Sequence, residues 1–161
     1  MVLVGVGCGA VVPVGVAFAG WAVVLVVASV VDWRERRLPR VIIEPALAAG
    51  AAWLVTAGMV HDRWPSARGS LLGLGLMIVL LGVPHVLAPA KLAFGDVRLG
   101  LLIGLFVGWL SLAAVPLVLL VGCLGAAVVG VFMINRWRGQ VPLGPFLSLA
   151  ALVISAGMAL S

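Results

Sequence analysis

Asp32 and Asp96 each stand where a long apolar run meets a short polar gap. Either one alone reads as a solvated helix end. Together they offer chemistry. Two carboxylates held close share a single proton, because like charges in contact cannot both ionise. One then acts as base toward a water molecule while the other donates to a carbonyl oxygen. Such hydrolysis needs neither a metal nor a nucleophilic side chain. Asp32 closes its apolar run, at the negative end of a helix, whereas Asp96 opens one, at the positive end. Helix polarity therefore favours Asp32 as the acid and Asp96 as the base, while Arg34, Arg36 and Arg37 work against this by stabilising charge on Asp32.

The remaining polar residues suggest less. Glu44 lies four residues after Arg40, the spacing of an ion pair on a helix surface. His61 and Asp62 read as solvated loop residues, and His85 as a bonded or interfacial histidine. Arg34, Arg36 and Arg37 set membrane topology. Cys8 and Cys123 are isolated within apolar runs and form no CxxC pair, which excludes a zinc ribbon or redox motif and leaves buried, inert thiols. Trp21, Trp53 and Trp109 are packing residues or interfacial anchors. There is no phosphate-binding glycine loop.

The elements that must carry the aspartates follow from composition. Of 161 residues, 65% are hydrophobic and 9% charged, against about 25% charged in soluble domains. Mean hydropathy is +1.34. The expectation is an all-α bundle of six transmembrane helices forming a single membrane-embedded domain over residues 1–161. The first span runs Val11–Val31, the second Val41–Val60 and the third from about Ser70 to Leu87. The stretch from Val97 to Ile134 is too long for one span of about 20 residues. It divides near Gly108–Ser111, and Leu143–Leu160 is the last span. Without a basic n-region, the first run reads as a retained helix and not as a cleaved signal. Glycines and alanines throughout allow close helix approach.

The net charge of +5 is explained by topology. The first, third and fifth gaps hold Arg34, Arg36, Arg37, Arg40, Lys91, Arg98, Arg136 and Arg138, whereas the second holds only Arg63 and Arg68. This bias places the odd gaps, and with them both aspartates, on the cytoplasmic side. The cations also suit anionic lipid headgroups. No basic stripe interleaved with aromatics points to nucleic acid.

At these residues the chain resembles the type IV prepilin peptidases. Asp32-Trp-Arg-Glu-Arg-Arg-Leu-Pro39 resembles their first signature, and Ala93-Phe-Gly-Asp96-Val-Arg-Leu99 their GxGD motif. Val141-Pro-Leu-Gly-Pro-Phe146 resembles the proline-glycine segment that opens their last helix. Ala93 stands at the motif's first glycine, and Arg98 where lysine is commoner. The resemblance implies an aspartyl endopeptidase with Asp32 and Asp96 as catalytic pair and Gly95 and Pro39 as supporting motif residues. It implies no cofactor. Its substrate would be a membrane-inserted prepilin-like precursor, cut at the cytoplasmic face of the plasma membrane. The cysteine-bearing segment of the bifunctional members is absent, which implies the peptidase alone. Two other classes compete. A small proton- or ion-coupled transporter would use the same aspartates and His85 as a path and tolerate Asp→Glu. A catalytically decayed scaffold would tolerate loss of both.

Overall fold

The computed structural model describes residues 8–35, 40–87, 94–132 and 143–160. All the regular structure there is helical. α1 spans Cys8–Glu35, α2 Arg40–Val60, α3 Trp64–Met77, α4 Val83–Leu87, α5 Phe94–Leu110, α6 Ala114–Phe132 and α7 Gly144–Leu160. A π-helical turn, Ile78–Gly82, joins α3 and α4 into one continuous rod. The result is an all-α membrane protein of six helical rods. Four of them, Val14–Arg34, Val41–Val60, Trp64–Leu87 and Ala114–Phe132, are long and apolar enough to cross a bilayer. α5 and α7 have 17 residues each and rise about 25 Å, at the short end of the range for a span.

α5 is the axis of the bundle. It is apolar on every face, as a helix enclosed by others must be, and Leu99, Leu102, Ile103, Leu105 and Val107 are fully buried. Its closest partner is α3, and glycine makes that contact. A Cβ on Gly104 would lie 2.5 Å from the Gly73 carbonyl oxygen and 2.7 Å from Met77 Cγ. Gly69 and Gly108 abut each other's backbones in the same way. Gly69 and Gly73 of α3 thus face Gly104 and Gly108 of α5, each pair spaced by four residues, and the two backbones touch directly. Close approach through small residues was expected of Gly73; Gly108, expected at a turn, and Gly69, expected before the third span, take part in the same helix contact.

Three features differ from expectation. The α1 helix continues past Val31 to Glu35, which keeps Asp32 in its last turn, at the C-terminal end as expected. The third rod begins at Trp64, six residues earlier than expected. Asp62 adopts a left-handed conformation, φ 52°, and the Arg63 N–H returns to the Gly58 carbonyl at 2.8 Å. This is a Schellman-type closure of α2. Pro65 in the first turn then starts α3 at once, a position where its missing N–H costs nothing. Arg68 is therefore on a helix, stacked over Trp64 at 5.5 Å. Third, the π turn carries no signature in the hydropathy. It packs Leu81 against Gly100 of α5.

The division near Gly108–Ser111 is where the structure turns, between Leu110 and Ala114. Trp21 and Trp109 are buried packing residues, while Trp53 is half exposed. Trp21 stacks on Phe106 at 5.2 Å, with Phe18 edge-on to both. Beside these rings a cavity of about 250 Å³ opens between α1, α2 and α5, lined by Gly20, Ala49, Gly50 and Trp53 among others. Cys123 is exposed, not buried as expected. It lies on the outward face of α6, where a thiol can rest against lipid as readily as against protein.

Candidate active site

Two acids are buried among the described side chains: Asp32 at 6% exposure and Asp96 at 8%. They arrive from opposite chain directions. Asp32 is carried by the last turn of α1 and Asp96 by the first turn of α5. The bundle brings both to one end, within electrostatic reach of each other. Gly95, half buried, precedes Asp96 in that turn. Pro39 and Ala93 lie outside the described residues, as do Arg36, Arg37, Lys91, Arg136, Arg138, Val141 and Pro142.

The first turn of α5 is tied to its neighbours. Arg98, two residues after Asp96, pairs with Glu44 of α2 at 2.9 Å. Its guanidinium also lies 4.5 Å from the centre of the Phe94 ring, and His85 of α4 packs against that ring at 5.3 Å. Glu44 is thus bonded across the α2–α5 interface, and the side chain of Arg40, its expected partner along the helix, lies outside the described ones. Helical spacing suggested Arg40, but Arg98 brings a half-buried guanidinium whose charge is better met by a carboxylate than by lipid.

The start of α7 contributes a feature that motif spacing did not show. The Gly144 backbone N–H approaches the Asp32 carboxyl, and a Cβ on Gly144 would lie 2.7 Å from Asp32 Oδ2. That oxygen has no hydrogen-bond partner. Asp32 thus meets the positive start of α7 as well as the negative end of its own helix. As to helix polarity, the expected division of roles considered each aspartate's own helix alone; with α7 included, that polarity no longer separates acid from base. The segment Val141–Phe146 had been singled out by its motif, yet nothing in the sequence pairs it with Asp32.

The fold is that of a polytopic helical membrane protein with two buried acids toward one end of its bundle. Residues 19–131, which include both aspartates, match the family model of the type IV leader peptidase family. The chain belongs to that family. It is 29% identical over 126 residues to the prepilin leader peptidase/N-methyltransferase of Escherichia coli (strain K12), a match covering 78% of this chain and 56% of the relative. The chain thus spans little more than half the length of that curated relative. No solved structure matches it.

Proposed function

We propose that this chain is an intramembrane aspartyl endopeptidase that cuts the leader from prepilin-like precursors, with Asp32 and Asp96 as its catalytic pair. The observation that carries the reading is the burial of both acids within electrostatic reach of each other, in a chain of the leader peptidase family. A buried carboxylate without a cation is costly, and a pair sharing one proton halves that charge. In the reaction, water adds to the scissile carbonyl carbon as the basic carboxylate takes its proton. The acidic carboxyl gives its proton to the carbonyl oxygen. Collapse of the tetrahedral intermediate then breaks the C–N bond, and the amine leaves with a proton from the pair.

The substrate chemistry follows from where the pair lies. A precursor with a short basic leader and an apolar helix would keep its leader in water and its helix in the bilayer. The peptide bond between them then falls at the level of Asp32 and Asp96. The positive-inside bias makes that the cytoplasmic face of the plasma membrane. Asp32→Asn and Asp96→Asn should each abolish cleavage of a co-expressed precursor while membrane insertion and protein level stay normal. Near wild-type cleavage by either inserted variant would end the aspartyl reading.

A further inference from the structure

We infer that Gly144 is a positioning residue for Asp32: the missing side chain at the first residue of α7 lets that helix end close over the Asp32 carboxyl and hold it in place. The inference rests on reading Asp32 as one of the catalytic pair.

The geometry is tight on every side. A Cβ on Gly144 would meet Asp32 Oδ2 at 2.7 Å, Asp32 Cγ at 3.3 Å and Leu99 Cδ2 at 3.5 Å. Leu99 is fully buried and Asp32 nearly so, so neither can swing into solvent. A methyl group there must either turn the carboxyl or push α7 away. Among the described glycines, Gly144 alone has a carboxylate in that position. Gly122 and Gly125 of α6 face Leu147 and Phe146 of α7, and Gly157 faces open space.

Hydrogen bonding points the same way. The first closed turn of α7 is the bond from Leu147 N–H to the Leu143 carbonyl, 3.1 Å. Gly144 is therefore in the opening turn, where N–H groups have no partner within the helix. The next residue, Pro145, has no N–H at all. Gly144 is buried, so its donor must find an acceptor outside α7, and the Asp32 carboxyl is what it approaches. No partner holds Oδ2. Among the described residues, the approach of α7 is thus the polar contact that orients this short acid.

Steady-state cleavage of a full-length precursor by the detergent-purified enzyme tests this. Gly144→Ala should lose at least ~10-fold in kcat, as misplacement of a reacting group does, with KM and the thermal midpoint little changed. Gly122→Ala presses on Leu147 at 2.9 Å in the neighbouring α6–α7 contact and serves as the control. It should lower the thermal midpoint and leave kcat near wild type. Equal kcat in the two variants would overturn the inference. A second arm reads the contact without activity and stands even if Gly144→Ala fails to fold. In a Cys8→Ser/Cys123→Ser background, Asp32→Cys with Gly144→Cys should form a disulfide in membranes under mild oxidation. A sulfur near the present Cγ would lie close to the ~3 Å that separates Cβ from the far sulfur in a disulfide. Asp32→Cys with Gly157→Cys should stay reduced. Absence of the first crosslink refutes the contact. Full activity of Asp32→Asn would instead refute the catalytic reading, leaving the crosslink to decide the contact.

Discussion

Replacing Gly104 by alanine should damage the bundle far more than the same change at Gly75, although both are glycines within helices of the same contact pair. At Gly104 the added methyl would lie 2.5 Å from the Gly73 carbonyl oxygen, 2.7 Å from Met77 Cγ and 3.0 Å from the Gly73 carbonyl carbon. Two of these three atoms are backbone, so no rotamer change relieves them. Bringing the closest to ordinary contact requires α3 and α5 to part by about 0.9 Å. Overpacking of this kind costs ~1–3 kcal/mol, and here the separation also loosens Gly69 against Gly108 one turn away. At Gly75 nothing lies within 4 Å, so alanine meets no obstacle and gains up to ~1 kcal/mol in helix propensity. The two variants should therefore shift stability in opposite directions, by a combined ~1–4 kcal/mol. Reversible unfolding of the micelle-solubilised protein by SDS titration, followed by circular dichroism, measures both. If the two variants unfold within ~0.5 kcal/mol of each other, the glycine seam does not hold α3 to α5 and the reasoning fails.

Other outcomes follow from the same structure. A periplasm-active reporter fused after Arg63 should be active and one fused after Arg36 silent; the reverse would put both aspartates on the far face. Glu44 is more than half exposed in its pair with Arg98, so Glu44→Gln should cost under ~1 kcal/mol of stability. Its larger effect should be on cleavage rate, and the exchange Glu44→Arg/Arg98→Glu should restore more activity than either half gives. No gain in the exchanged pair would mean that the ion pair does not locate Asp96. Asp62→Gly relieves a left-handed aspartate in the α2–α3 turn and should stabilise by ~0.5–1 kcal/mol without changing cleavage. A loss of activity there would give the far end of the bundle a role that nothing in its geometry suggests.

The legible part of this molecule was what hydropathy and local spacing encode. Six apolar runs became six helical rods, and the polar break near Ser111 marks the turn between α5 and α6. Charge order along the chain put Asp32 and Asp96 at the same end, where both are found buried. What was not legible depends on partners distant in sequence. Helical spacing offered Glu44 only Arg40, since the approach of Arg98 depends on how α5 packs on α2. The early start of α3 was hidden because Arg63 and Arg68 look alike as charges, and only a left-handed Asp62 followed by Pro65 puts one in the turn and the other on a helix. Gly144 was visible as part of a motif, but its contact with Asp32 joins residues more than a hundred positions apart.

The glycine seam also divides the molecule mechanically. Asp96 belongs to the half in which α3 and α5 meet backbone to backbone at two glycine pairs, where no rotamer change can yield. Asp32 belongs to a helix of another kind: Gly15 and Gly20 of α1 have nothing within 4 Å, and the cavity of about 250 Å³ lies between α1 and the axis helix. A peptide admitted between the two acids must displace something, and the compliant wall is α1 with the start of α7 attached. The site would then work as a fixed jaw and a moving one, with Asp96 as the anvil. Spin labels provide the measurement of this hypothesis. On adding precursor to Asp96→Asn enzyme, the distance from Val23 to Leu110 should change while that from Leu72 to Leu110 stays constant. Equal changes in both would show that the two halves move as one body.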